Sequence, residues 1–346
     1  MKPSSIRTSE IVKGLFFIIA LSTILVWTSH SITFTHIGES IYNQYATMRG
    51  EPFIFDGKPL VIEPFYNRIL FPSIFVLATS ALRGLTDIQL FISLRFLSFV
   101  LCLSAIYVAA YRRSGASNQG AMTVCAAAAL SMIPTFNHGW VHTSDIFDLA
   151  ICLFMFLYIA EDKFWAAFLV ACLTAINRET GAFGAVAYIC LAFGTQKLGL
   201  MGLRAALIGL VPYFGAIAVR KIMLGDQLPF LATGQWYIGL SYNLELFVDA
   251  LRKPSPIGWL MLLVAMMVFP WLLFLGKRSS NAFKVRVAIA FIAIFGISMA
   301  VGISSEVRTF IPCLGLLTAC LLARVGEARL SMRGDTDEQI HVAIGG

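Results

Sequence analysis

The sequence predicts an all-α, polytopic transmembrane helix bundle of about ten spans, and three observations predict it. Of the 346 residues, 58% are hydrophobic and 13% charged, and the mean hydropathy is +0.79, which is too much apolar surface for a water-soluble globule. The apolar residues gather in runs near the roughly 20 residues that a bilayer crossing takes. The Lys and Arg residues collect in alternate connections between those runs, as they do in cytoplasmic loops.

Residues 1–13 are polar and basic. The apolar run 14–33 after them reads as a first span, because no Ala-x-Ala-like cleavage site follows. Further runs cover 88–111, 121–136, 146–160, 164–176, 181–193, 203–222, 257–275, 285–303 and 310–322. Residues 69–82 are different: 14 residues, with Pro72 near the start and Arg68 and Arg83 at the edges. That length suits an interfacial or re-entrant helix. The runs 164–176 and 181–193 are also short, and are expected as a hairpin lodged among other helices. The chain thus reads as one transmembrane domain over 1–323, with outer loops at 34–87, which holds the interfacial helix, and at 223–256. A polar, disordered tail is expected over 324–346.

If 69–82 does not cross, the inner loops and ends hold fifteen Lys and Arg against seven acidic residues, and the outer side ten against twelve. The net charge of +7 therefore reports orientation, both termini are expected in the cytoplasm of a bacterial inner membrane, and nucleic acid is excluded as a partner. The seven cysteines lie in apolar runs without Cys-x-x-Cys spacing and read as packing residues.

In this topology four polar groups share the outer edge. The first loop offers Glu39, Glu51, Asp56 and Glu63, then Asn67 and Arg68. The second group holds His138, His142, Asp145 and Asp148; the third is Arg178-Glu179; the fourth is Glu306-Val307-Arg308. An ionisable group beside hydrocarbon costs about 2.5–3.5 kcal/mol at a helix centre and faces a cavity or a partner. Repeated carboxylate and Arg groups at one level therefore point to a polar cavity opening outward. Arg forks hold phosphate bidentately, and a carboxylate there can take a proton from an acceptor hydroxyl.

Blander readings stand beside these. Asp145 and Asp148 suit the positive end of a helix, Arg178-Glu179 and Glu306/Arg308 suit ion-paired turns, and Arg95, about eight residues into its span, needs an anionic partner or water, with Asp145 and Asp148 as candidates. His138 and His142 are spaced like metal ligands but lack the glutamate of a zinc-protease helix, so no resident metal or cofactor is expected, with a divalent cation left open.

The arrangement resembles the GT-C glycosyltransferase superfamily. The resemblance rests on a first span, a large outer loop with an interfacial helix, and many short spans with acidic and Arg residues at their outer ends. Glu39, in Ile37-Gly38-Glu39-Ser40, holds the place of the acidic residue that follows the first span in that superfamily. Tyr66-Asn67-Arg68, Asn177-Arg178-Glu179-Thr180 and Ser305-Glu306-Val307-Arg308 also look like sequences of bacterial members. No Asp-Glu pair or Asp-x-Asp follows the first span, which leaves Glu39, Glu51, Asp56 and Glu63 as candidate bases.

The resemblance implies a lipid-linked sugar donor, polyprenyl phosphate or its diphosphate, and a lipid or glycan acceptor outside. Glu39 or Asp56 would be the catalytic base, and Arg68, Arg178 and Arg308 would hold the phosphate. Asn67, His142, Asp145, Glu179 and Glu306 complete the substrate-binding set. A small-molecule or lipid transporter is one alternative, which would want inverted repeats. A polysaccharide polymerase or an acyltransferase is another; the acyltransferase would need His138 or His142.

Overall fold

The computed structural model describes residues 8–51, 53–55, 57–60, 69–113, 117–133, 143–177, 179–224, 281–301 and 315–320, and the single positions 245, 248, 252 and 313. Helices α1 (Thr8–Thr33) and α2 (Ile37–Arg49) come first, followed by a hairpin of β1 (Phe53–Phe55) and β2 (Lys58–Leu60). After the hairpin come α3 (Leu70–Ala81), α4 (Asp87–Val108), α5 (Asn118–Met132), α6 (Thr143–Ala160), α7 (Phe164–Asn177), α8 (Phe183–Ala192), α9 (Leu198–Leu224) and α10 (Asn281–Val301). Four of these, around Ser9–Ser31, Asp87–Tyr111, Leu198–Val219 and Asn281–Ser298, are long and apolar enough to cross a membrane. The protein is a polytopic helical membrane protein. Shorter apolar helices occur at Leu70–Ala81, Ile146–Ala160, Phe164–Asn177 and Thr180–Ala192. The expected span at 257–275 lies outside the described residues.

Helix α6 is central. Cys152, Leu153, Met155, Phe156 and Leu157 are almost wholly buried where α6 packs on α4, α7 and α8. Helix α1 lies on α4 and α5, α9 lies on α7 and α8, and α10 lies on α8. With no hydrophobic driving force between helices in lipid, close approach depends on small residues. A Cβ on Gly184 would fall 2.8 Å from Ile208 Cγ2 and 2.8 Å from Met155 Sδ, so α8 sits against α9 and α6 only because this position is bare. Gly184→Ala is therefore expected to lower the melting temperature of the protein in detergent, by overpacking worth about 1–3 kcal/mol. Gly202→Ala, with nothing within 4 Å of its added methyl, should not. Equal melting of the two would refute the close crossing.

Both ends of the bundle are tied by polar contacts, and these fix which residues share an end. At one end Tyr111 Oη donates to Glu10 Oε2 at 3.0 Å and Tyr107 Oη to Asn118 Oδ1 at 2.6 Å. Gln196 Nε2 there reaches Asp162 Oδ1 at 2.7 Å, and Arg286 Nη1 caps the Leu191 carbonyl at 2.9 Å. By helix order Lys13, Arg112, Arg113, Lys163, Lys197, Arg204 and Lys284 all belong to this end. The opposite end holds α2, the hairpin, α3 and the turn between α7 and α8.

Helix α3 occupies the place expected for the interfacial helix, and packs on α2, α4, α6 and α7. Helix α2 was not anticipated: within the outer loop the sequence suggests only the interfacial helix at 69–82. Its Ile37 and Ile41 join Phe71, Phe75, Leu90 and Phe91 in a small apolar cluster of their own, so α2 forms because α3 and α4 give its apolar stripe somewhere to go. Tyr45 Oη donates to Asp87 Oδ2 at 3.1 Å, and burial, aided by that carboxylate, pushes the phenol up from its ordinary value.

Candidate active site

Two anchors pin the hairpin to α2. Asn43, 4% exposed, accepts from Ile54 N at 3.0 Å and donates to Ile54 O at 3.2 Å. Glu39, in the first turn of α2, accepts from Gly57 N through Oε1 at 3.0 Å. Its Oε2 is closed to solvent and lies 3.6 Å from His36 Nδ1. The register pairs Phe55 with Lys58, so Asp56-Gly57 is a two-residue loop, with Gly57 at φ +72° in the left-handed region such turns require. Asp56 itself lies outside the described residues. Glu39, one of the candidate bases, thus holds the β1–β2 turn at Gly57.

The second junction joins the start of α3 to the end of α7. Ile69 N donates to Ile176 O at 3.0 Å. Arg68 is bonded to Ile69, and Arg178 follows Ile176 by two residues, so two of the four polar groups leave the fold from one hydrogen-bonded point. Beyond it the chain enters a buried polar cluster. Asp148 of α6 is 0% exposed. Its Oδ2 accepts from Thr180 Oγ1 at 2.7 Å and Cys152 Sγ at 3.6 Å, and its Oδ1 accepts from Asn177 Nδ2 at 3.3 Å. The described chain gives Glu179 only as backbone in the short 3-10 turn Glu179–Ala182, and Asp145 only as backbone in α6.

Asn67, Arg68, His142, Arg178, Glu306 and Arg308 lie outside the described residues. Arg95, 1% exposed, lies over the Phe91 ring at 5.2 Å and donates to Ser29 Oγ at 3.0 Å. A serine and a ring face are among the groups that meet this guanidinium. Among the described residues no group of three or more His, Cys, Asp or Glu is placed to hold a metal ion.

Sequence reasoning missed the hairpin and the weight of Asp148. The Asp-Gly pair between Phe53-Ile54-Phe55 and Lys58-Pro59-Leu60 was a usable signal for the first. For the second no local signal existed, because the partners Asn177 and Thr180 are 29 and 32 residues away.

No protein-family model and no curated protein sequence matches the chain. Among solved structures, the crystal structure of ArnT from Cupriavidus metallidurans bound to undecaprenyl phosphate superposes with a TM-score of 0.52 at 18% identity, covering 94% of this chain and 63% of that one. ArnT is a GT-C glycosyltransferase. The chain shares the fold of that ArnT structure over nearly its whole length. It spans a little under two thirds of the length of the ArnT chain.

Proposed function

We propose that the protein is a membrane glycosyltransferase that moves a sugar from a polyprenyl-phosphate-type donor to a lipid, glycan or polysaccharide acceptor on the periplasmic side of a bacterial inner membrane. The observation that carries the reading is the Ile69–Ile176 hydrogen bond, which gathers the Arg68 and Arg178 segments at one end of a fold shared with a protein bound to undecaprenyl phosphate.

In this reading Arg68, Arg178 and Arg308 hold the donor phosphate and stabilise charge on it as the sugar leaves. Asn67, His142, Asp145, Glu179 and Glu306 orient the sugar and the guanidinium groups. The base is Asp56. A base must present an oxygen to the incoming hydroxyl, and Glu39 has committed Oε1 to Gly57 N while Oε2 is closed off beside His36. Both termini lie in the cytoplasm, on the evidence of the Lys and Arg residues gathered at the end opposite the site.

The test uses full-length protein in proteoliposomes with radiolabelled polyprenyl-phosphate hexoses and pentoses and a membrane-glycan acceptor fraction. Label is expected to pass to the acceptor, and failure of every donor would overturn the reading. Single cysteines at positions 178 and 306 should react with an impermeant maleimide added to intact, outer-membrane-permeabilised cells. Labelling from the cytosolic face alone would reverse the orientation and remove the shared outer cavity.

A further inference from the structure

The Asp148 cluster does more than fill the bundle. A buried carboxylate is a poor source of stability, because an apolar side chain of similar size packs as well without the desolvation cost. Beside the Cys152 thiol of its own helix, this one accepts twice from a single short segment: Asn177 through Oδ1 and Thr180 through Oδ2. Those two residues bracket Arg178-Glu179, and the residue before them, Ile176, is held by Ile69 N. The backbone is therefore fixed on both sides of the dipeptide, with Asn177 0% and Thr180 7% exposed. A site must be held to within about half an ångström by a supporting shell whose own rotamers are locked.

We propose that Asp148 is a positioning residue that sets the Arg178-Glu179 dipeptide for a lipid phosphate, acting through Thr180 and Asn177. This role rests on the phosphate-holding reading given above for Arg178. It requires that loss of the Asp148–Thr180 bond weaken recognition of the phosphate while the bundle stays folded.

The experiment measures binding of undecaprenyl phosphate, with undecaprenol as the control lacking the phosphate, to full-length protein in nanodiscs. Melting without ligand is recorded for every variant. Thr180→Val, which keeps the shape and removes the hydroxyl, is expected to weaken undecaprenyl phosphate binding about tenfold, the equivalent of one charge-assisted hydrogen bond. Undecaprenol binding should stay near wild type, and ligand-free melting should fall by a few degrees for the lost buried hydrogen bond while remaining a single cooperative transition. Thr180→Ser should restore phosphate-lipid affinity. Asp148→Asn should follow Thr180→Val, and if it fails to fold the threonine pair decides alone. Thr180→Val that binds undecaprenyl phosphate as tightly as wild type, or that loses undecaprenol and phosphate lipid equally, would overturn the positioning role while leaving the donor class intact. Wild-type protein that does not bind undecaprenyl phosphate at all would overturn both.

Discussion

Asp56→Asn is expected to lower kcat by about two to four orders of magnitude, the range a positioned general base supplies, with little change in KM for the donor. Glu39→Gln, placed beside it, should hold kcat to within about an order of magnitude of wild type, because the amide oxygen can still accept from Gly57 N and its NH2 can face His36 Nδ1. Glu39→Ala removes that acceptor and releases the hairpin turn, so it should be worse than Glu39→Gln. The pH dependence of kcat separates the roles further. The acidic limb, which reports the base, should persist in Glu39→Gln and vanish in Asp56→Asn. Single-turnover kinetics across pH 4–9 in proteoliposomes would read it; an acidic limb lost in Glu39→Gln would move the base to Glu39.

The second large effect is expected at the phosphate. Arg178→Ala and Arg68→Ala should each reduce kcat/KM for a polyprenyl-phosphate donor by about 10²–10³, as removal of one preorganised charge-stabilising donor does elsewhere. Lysine at either position keeps the charge and loses the fork, so it should recover only part of the loss. The pair should be non-additive, because their segments leave one hydrogen-bonded junction, Ile69 N to Ile176 O. Arg308→Ala should fall with them. Full retained transfer in Arg178→Ala, at normal expression, would defeat the phosphate assignment.

Much of the bundle was legible because hydropathy is a direct readout of the lipid environment. The first span, the span beginning near Asp87 and the short helix at Leu70–Ala81 stand where apolar runs put them. The pair α7 and α8 is short as the runs suggested, and each packs on α6 and α9, lodged among other helices. Helix α2 escaped because its sequence mixes Glu39, Asn43, Gln44 and Arg49 with its apolar positions. Only the apolar patch of α3 and α4 makes that stripe worth burying.

At the site, the sequence set Arg68 and Arg178 at one end of the membrane, and nothing local could join them. Asp145 and Asp148 differ by three residues and share a helix face, so periodicity could not choose between them. The choice came from Thr180, a hydroxyl brought in by the fold of another helix pair.

The shortness of α7 and α8 has a physical consequence for the bilayer. Their charged ends, with Asp162, Lys163 and Lys197, anchor them at one boundary, and 14 residues of α7 rise only about 21 Å into a hydrocarbon layer about 30 Å thick. The turn they carry therefore stops roughly 10 Å below the far surface. A polar turn at that depth has to be met by protein or water in place of lipid, and here α3 reaches it through Ile69 N and α6 through Asp148.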